Sequence, residues 1–330
     1  MIACALQSSQ AAPAAIGAPR FLSPRAFRAL VNQTIRMSDH DDILYRFLLE
    51  QAQLRGVLVH LNESWRQVRD RADYPPVVAD LLARALTASA LFTGNIKFEG
   101  SLSIQLKAAG AMNLLFAECT HDGRLRGLAR WQPELPADFR LTTTGGEPLL
   151  AITIDNAVTG QRYQGLVPVD DDDPGVLFER YFERSEQLPT RVLLACDGER
   201  CAGLMLQQLP SSEHGADPDA WNRVGHLLAT VSPEELLGLD PERLLLRLFH
   251  EETVRVLAKQ PLAFGCRCSR ERVAGMLRTL GRDEALASVQ SDGRIEVTCE
   301  FCNTRYHFDA VDVEQIFLDP AVVGSSGTEH

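Results

Sequence analysis

Two cysteine pairs near the C-terminus have the types and spacing to do chemistry: Cys266 and Cys268 in Gly-Cys-Arg-Cys-Ser, and Cys299 and Cys302 in Thr-Cys-Glu-Phe-Cys-Asn. Each pair can supply two adjacent corners of a tetrahedron. A separation of about thirty residues lets folding bring the pairs together around one zinc ion. The same thiols are oxidisable, because each pair could close into a disulfide once a metal had left. Spacing alone leaves three chemistries open: a static zinc ribbon, a thiol–disulfide oxidoreductase, and an oxidation-sensitive metal site. Oxidoreductase pairs sit at a helix N-terminus that depresses the thiol pKa, whereas Cys299 follows a predicted strand. A nucleic-acid-binding ribbon is disfavoured, since residues 266–330 carry 7 Lys+Arg against 11 Asp+Glu.

The elements expected to position these thiols are short. Ser269 can cap a helix running through Arg272, Val273, Met276, Leu277 and Leu280 and ending at Gly281. Asp283 to Val289 forms a second helix. Asp292-Gly293 turns into a strand at Ile295–Thr298, and Arg305–Phe308 returns. The Cys299–Cys302 segment then lies at a hairpin tip, as in a zinc knuckle. So small a module buries little surface. A structural zinc ion contributes on the order of 10–16 kcal/mol in such domains, and its removal is expected to unfold the module.

Upstream, the pattern is α+β. Strands are predicted at Ile43–Leu49, Leu54–Leu61, Leu102–Ala108, Met112–Cys119, Leu125–Trp131, Leu149–Ile154, Tyr163–Val169, Arg191–Cys196 and Cys201–Gln208, forming an extended, largely antiparallel sheet. Asn62 can cap a helix through Arg69. Pro75-Pro76 opens a longer one with Val77, Leu81, Ala85 and Ser89 on one face. Asp170–Asp173 precede a helix from Gly175 to about Glu186 and complement its N-terminus, a reading preferred to a calcium site. The domains expected are an N-terminal extension at 1–36, an α+β core domain with a mixed or antiparallel sheet at 37–212, a helical linker at 213–262, a small C-terminal zinc-binding module at 263–320, and a disordered tail at 321–330. A polar break, Ser211 to Asp219, opens the linker. Its helices are leucine-dense (Leu236, Leu237, Leu239, Leu244, Leu245, Leu246, Leu248, then Phe249) and too small to form a core alone, so they must lean on a neighbour.

Composition bounds the rest. A net charge of −11 argues against a general nucleic-acid binder. The best apolar run, Val77 to Phe92, contains Asp80 and Arg84, so a soluble protein without a membrane span is expected. The cysteine spacing favours metal over disulfides and hence a reducing, cytoplasmic setting. Residues 1–36 hold four arginines and no Asp or Glu, and read as a disordered extension, as sequence upstream of a true start at Met37, or as an organellar transit peptide. Cys196 and Cys201 flank a four-residue hairpin loop and can approach each other, but are read as small buried apolar residues. Cys119 and Cys4 have no visible partner. His307 is read as a strand or surface histidine rather than a ligand. No phosphate loop or Ser/His/Asp arrangement stands out, and no enzyme is expected.

One further observation narrows the choice. Cys-Arg-Cys-Ser-Arg-Glu-Arg from Cys266, Leu-Gly-Arg-Asp-Glu from Leu280, and Ile295 to Ala310 (Ile-Glu-Val-Thr-Cys-Glu-Phe-Cys-Asn-Thr-Arg-Tyr-His-Phe-Asp-Ala) closely resemble the heat-shock protein 33 family of redox-regulated chaperones. The layout from Met37 onward also fits that family. The resemblance implies an ATP-independent holdase, inactive when Cys266, Cys268, Cys299 and Cys302 hold one zinc ion per chain. On oxidation it implies Cys266–Cys268 and Cys299–Cys302 disulfides, zinc release, unfolding of module and linker, and homodimers that bind unfolding client proteins. A static structural zinc module on a scaffold or regulatory binding protein is the alternative.

Overall fold

The computed structural model describes residues 42–318 except 109, 137, 144–146, 210–216, 218 and 290–292. The readings placed on residues 1–36, on Cys4, on most of the polar break, on Asp292 and on the tail at 321–330 lie outside the described residues. The chain divides into two compact units, the first ending at Gly265 and the second beginning at Cys266.

The first unit is α+β, built on two sheets where the sequence suggested one. Strands β1 (Ile43–Leu49), β2 (Leu54–Leu61), β8 (Thr190–Cys196), β9 (Cys201–Gln208) and β10 (Val254–Pro261) form a five-stranded antiparallel sheet in the order β10-β1-β2-β9-β8. Strands β3 (Gly100–Lys107), β4 (Met112–Thr120), β5 (Arg124–Trp131), β6 (Leu149–Asn156), β7 (Arg162–Pro168) and β11 (Ala263–Phe264) form the second, ordered β11-β5-β4-β3-β6-β7. Only the short β11–β5 pair in it is parallel. The split has a visible cause. Helix α1 (Glu63–Arg69) and helix α2 (Pro76–Asn95) intervene between β2 and β3, and α2 packs against strands of both sheets.

Helix α2 corrects two expectations. It is buried almost all round rather than along the Val77/Leu81/Ala85/Ser89 stripe, because each sheet covers part of it. By length and composition it is also long and apolar enough to cross a membrane despite Asp80 and Arg84, but most of it is buried inside the protein, as a core helix would be. Its fit is close. A Cβ at Gly203 on β9 would stand 2.7 Å from Thr87 Cγ2 and 2.8 Å from Leu91 Cδ1. Gly203→Ala should therefore destabilise the first unit by about 1–3 kcal/mol through overpacking, read as a lower urea midpoint at unchanged slope.

The opposite face of the five-stranded sheet carries the leucine-dense helices. Helices α3 (Pro174–Tyr181, continued by a π turn to Glu186), α4 (Ala220–Leu228), α5 (Pro233–Gly238) and α6 (Pro241–Phe249) complete the first unit. Alternation along the strands sorts the two layers. Val57, Val59 and Met205 face the α2 core, while Leu58, Leu204 and Leu206 join Leu236, Leu237, Leu244, Leu245, Leu248 and Phe249 in a separate cluster. The expected leaning of these helices on a neighbour is thus met by the sheet. Two are firmly capped. Ser232 and Glu235 make a reciprocal capping box on α5, and Asp240 accepts from Glu242 and Arg243 N–H on α6.

One stretch of the expected helical linker is not helical. Val254–Pro261 is β10, paired antiparallel with β1 from Leu49↔Val254 to Ile43↔Pro261. Its alternating Val254, Val256 and Ala258 carried that signal, and the leucine-rich helices beside it masked it. The acidic run behaves as read. Asp173 caps α3 through Gly175 N–H at 2.8 Å, Asp170 and Asp171 hold Arg180 at 2.5 and 3.1 Å, and Asp172 accepts from Thr142.

His60 on β2 sits between the sheet and these helices, 4% exposed, with its Nε2 unpartnered among the described residues. Burial, reinforced by the charge of Arg200 and opposed by a hydrogen bond to the Leu236 backbone, pushes its imidazole down to about 4. Above the unfolded value of about 6.5 both states are neutral and stability is complete. As pH falls from about 6.5 to about 4, the unfolded chain takes up a proton that the native state refuses. Up to about 3 kcal/mol is lost in that window. His60→Gln should flatten this part of the stability–pH profile in urea titrations.

Candidate metal centre

The second unit is built from helix α7 (Arg270–Leu280), helix α8 (Arg282–Ala287), the hairpin β12 (Arg294–Thr298)–β13 (Arg305–Asp309) and helix α9 (Ala310–Leu318). Sequence reasoning placed all of these but α9, whose Val313 and Ile316 close the small core over Leu277, Ala285, Ile295 and Phe308. Ser269 caps α7 as expected, accepting from Arg272 N–H at 3.3 Å. The register Thr298↔Arg305 leaves residues 299–304 as the hairpin tip. There Asn303 takes φ 58°, and Cys299 N–H donates to the Thr304 carbonyl at 2.9 Å while Asn303 N–H donates to the Cys299 carbonyl at 2.8 Å. This tight turn aims both tip thiols inward.

All four predicted cysteines come together. Their sulfurs lie within 4.8 Å of one another, all half-buried. Close approaches run between the pairs: Cys266 Sγ to Cys299 Sγ is 3.6 Å, and Cys268 Sγ to Cys302 Sγ is 3.3 Å. A tetrahedron with metal–sulfur bonds of about 2.3 Å has edges of about 3.8 Å, close to these spacings. The donor set suits a soft or borderline divalent cation and no hard one.

The thiols are not electrostatically equal. Burial pushes Cys266 up to about 12 and raises Cys299. At Cys302 burial also opposes ionisation, but hydrogen bonds from Thr304 and the neighbouring thiols outweigh it and bring the group down to about 7. Four thiolates in so small a volume repel one another, and a cation at their centre removes that repulsion.

Two supporting residues escaped sequence reasoning. Tyr306 O–H donates to Cys268 Sγ at 3.1 Å, and that bond, with burial, pushes the phenol up to about 12. The Thr304 hydroxyl lies 3.2 Å from Cys302 Sγ. Their signal was adjacency: both follow Cys302 closely, Thr304 at the end of the hairpin tip and Tyr306 on the returning strand β13. Arg270 ties the unit together. It donates to the His307 carbonyl at 2.6 Å, pairs with Asp312 at 2.8 Å and lies over the Phe308 ring at 4.2 Å. His307 stands outside the sulfur cluster, half exposed and opposite Glu296, as a strand histidine.

Comparison with known proteins agrees with this architecture. A family model described as Hsp33 protein matches residues 42–309. A 33 kDa chaperonin of Methylobacillus flagellatus is 41% identical over 298 residues, covering 90% of this chain and 100% of that protein. One of Ectopseudomonas mendocina is 44% identical over 296 residues, covering 88% and 100%. Among solved structures, the 33 kDa chaperonin (heat shock protein 33 homolog) of Thermotoga maritima superposes with a TM-score of 0.72 at 21% identity, covering 84% of this chain and 98% of that one, a likeness of fold.

Proposed function

This chain belongs to the Hsp33 family, and on that premise we propose that it is an oxidation-activated, ATP-independent holdase chaperone of the cytoplasm. The observation that carries the reading is the four-sulfur cluster at the head of a unit with a very small core. In the reduced protein Cys266, Cys268, Cys299 and Cys302 would hold one zinc ion, which when bound supplies positive charge that keeps all four thiols deprotonated. The Tyr306 and Thr304 hydroxyls orient the sulfurs and spread their charge.

Activation is a two-electron oxidation of each pair. Two thiolates, one hydrogen peroxide and two protons from solvent give one disulfide and two waters, as the peroxide O–O bond breaks. The pairing Cys266–Cys268 and Cys299–Cys302 comes from the family resemblance. In the reduced arrangement close sulfur contacts also cross between the pairs, at 3.6 and 3.3 Å. Losing the sulfur tetrahedron removes the chief support of the second unit and, on this reading, loosens the helices α4–α6. Leu236, Leu237, Leu244, Leu245, Leu248 and Phe249, all buried in the native state, would then be open to unfolding client proteins. Dimerisation would enlarge the binding surface.

The test measures metal content, free thiols and light scattering of a denaturing client, before and after peroxide with mild unfolding stress. The proposal expects metal release, loss of four thiols and stoichiometric suppression of aggregation only after oxidation. Full suppression by the reduced, metal-loaded form would overturn the switch. Retention of metal and shape after oxidation would favour a static zinc module. Tyr306→Phe, which removes one hydroxyl from Cys268, should weaken metal retention by about 10–100-fold, read by competition with a chromogenic chelator.

A further inference from the structure

The first unit carries a second thiol pair, far from the chain's C-terminal cysteines in sequence. Cys196 ends β8 and Cys201 begins β9, directly opposite each other in the antiparallel register. Between them Asp197 N–H donates to the Arg200 carbonyl at 3.1 Å, closing a tight turn in which Gly198 takes φ 92°. The next pair outward is therefore a non-hydrogen-bonded pair, the position at which opposing side chains come closest. The two sulfurs are 3.4 Å apart.

The hairpin tip is held in this geometry. Trp65 Nε1 and Arg69 Nη1 both donate to the Gly198 carbonyl, at 3.0 and 2.8 Å. Asp197 Oδ1 accepts from Glu199 and Arg200 N–H at 3.0 and 2.7 Å, and Arg84 Nη1 donates to the Leu194 carbonyl at 3.0 Å. The thiols divide the work of oxidation between them. Cys196 is half-buried, within reach of a small solute, while Cys201 lies in the core at 1% exposure.

We propose that Cys196 and Cys201 form a second, metal-independent oxidation site, converted by peroxides into a cross-strand disulfide. In the first step Cys196 sulfur attacks a peroxide oxygen. The O–O bond breaks, and Cys196 becomes a sulfenic acid as one water leaves. In the second, Cys201 sulfur attacks Cys196 sulfur, the S–O bond breaks, and the departing hydroxide takes the Cys201 proton as a second water. Two thiols lose two electrons in all, and hydrogen peroxide gains them.

The electrostatics run in the same direction. Cys196 accepts hydrogen bonds from the Cys201 thiol and from Gly198 N–H at 3.4 Å, which hold it below the usual thiol range against the effect of burial. Burial pushes Cys201 well above that range, so it keeps its proton until a sulfenic acid forms beside it. Cys119, fully buried and pushed up to about 12 by that burial, shows what an inert core thiol of this chain looks like. So short a closed loop restrains the unfolded chain less than a long one would. The site stands whether or not the C-terminal cysteines act as proposed above.

The test uses the full, reduced chain. After hydrogen peroxide, free thiols are alkylated and the protein is digested with trypsin without reductant. Cleavage after Arg191, Arg200 and Arg223 puts Cys196 and Cys201 on separate peptides, 192–200 and 201–223. The expected product is the two peptides joined, two hydrogens lighter than their sum, and separated by reductant. In Cys201→Ala, the sulfenic acid at Cys196 has no partner, so labelling there by a sulfenic-acid-specific dione should rise severalfold over the unsubstituted protein. Recovery of both peptides alkylated, under peroxide that has oxidised Cys299 and Cys302, would overturn the proposal. So would Cys196 joined to any other cysteine. The peptide map of the unsubstituted chain decides the matter even if the variant fails to fold.

Discussion

If the proposed metal is bound, chelating it from the reduced protein at neutral pH should erase amide protection across Cys266–Leu318 while leaving both large sheets of the first unit protected. Among the described residues, six side chains (Leu277, Ala285, Ile295, Phe308, Val313 and Ile316) make the buried core of the second unit. So small a core does not hold some fifty residues against their conformational entropy. A structural zinc ion contributes on the order of 10–16 kcal/mol in domains of this size, so a cation held by the four sulfurs would be the dominant support. Cys268→Ser should reproduce the chelator's effect without any chelator, since three thiolates leave the tetrahedron open and Tyr306 loses its sulfur partner. Hydrogen exchange read by mass spectrometry checks both. Protection of β12 and β13 that survives chelation would show a self-sufficient unit and remove the basis for a metal-governed switch.

The second large effect belongs to Phe249. Its ring is 1% exposed, lies 6.2 Å from that of Phe47, and closes the cluster between α6 and the five-stranded sheet. Phe249→Ala should cost about 3–5 kcal/mol, spent on the attachment of α4–α6. Exchange in 220–249 is expected to rise while β3–β6 stay protected. If these helices cover the client-binding surface, the reduced, metal-loaded variant should already suppress aggregation of a denaturing client, severalfold beyond the reduced unsubstituted protein. A variant with freely exchanging helices and no holdase activity would separate this segment from client capture.

Much of this was legible because the local signals were strong. The alternation in Leu54–Leu61, the Asp-Gly-Glu-Arg turn between Cys196 and Cys201, and the Pro75-Pro76 helix start each report a local preference that the tertiary structure keeps. What failed was non-local. Nothing in Val77, Leu81, Ala85 and Ser89 announces that a second sheet will cover the other flank of the same helix. Strand β10 is an edge strand with half-exposed side chains, so its alternation was weak beside eight residues of saturated leucine pattern. The sulfur cluster was readable because four ligands carry their own spacing rule. Tyr306 and Thr304 were not, because a hydroxyl's partner is fixed only once the hairpin has turned.

Strand β10 has one more consequence. The helices α4–α6 connect β9 to β10, and both of those strands are bonded into the same sheet, with β1 and β2 between them. At the usual strand spacing the two attachment points stand about 14 Å apart. A melted segment 209–253 would therefore remain leashed at both ends, like a bight of rope between two cleats. Its greasy residues could not drift away or entangle freely with other chains, and whatever they caught would stay beside the sheet they had vacated. Resetting would need no search, because the empty seat is always within the leash's reach at high effective concentration.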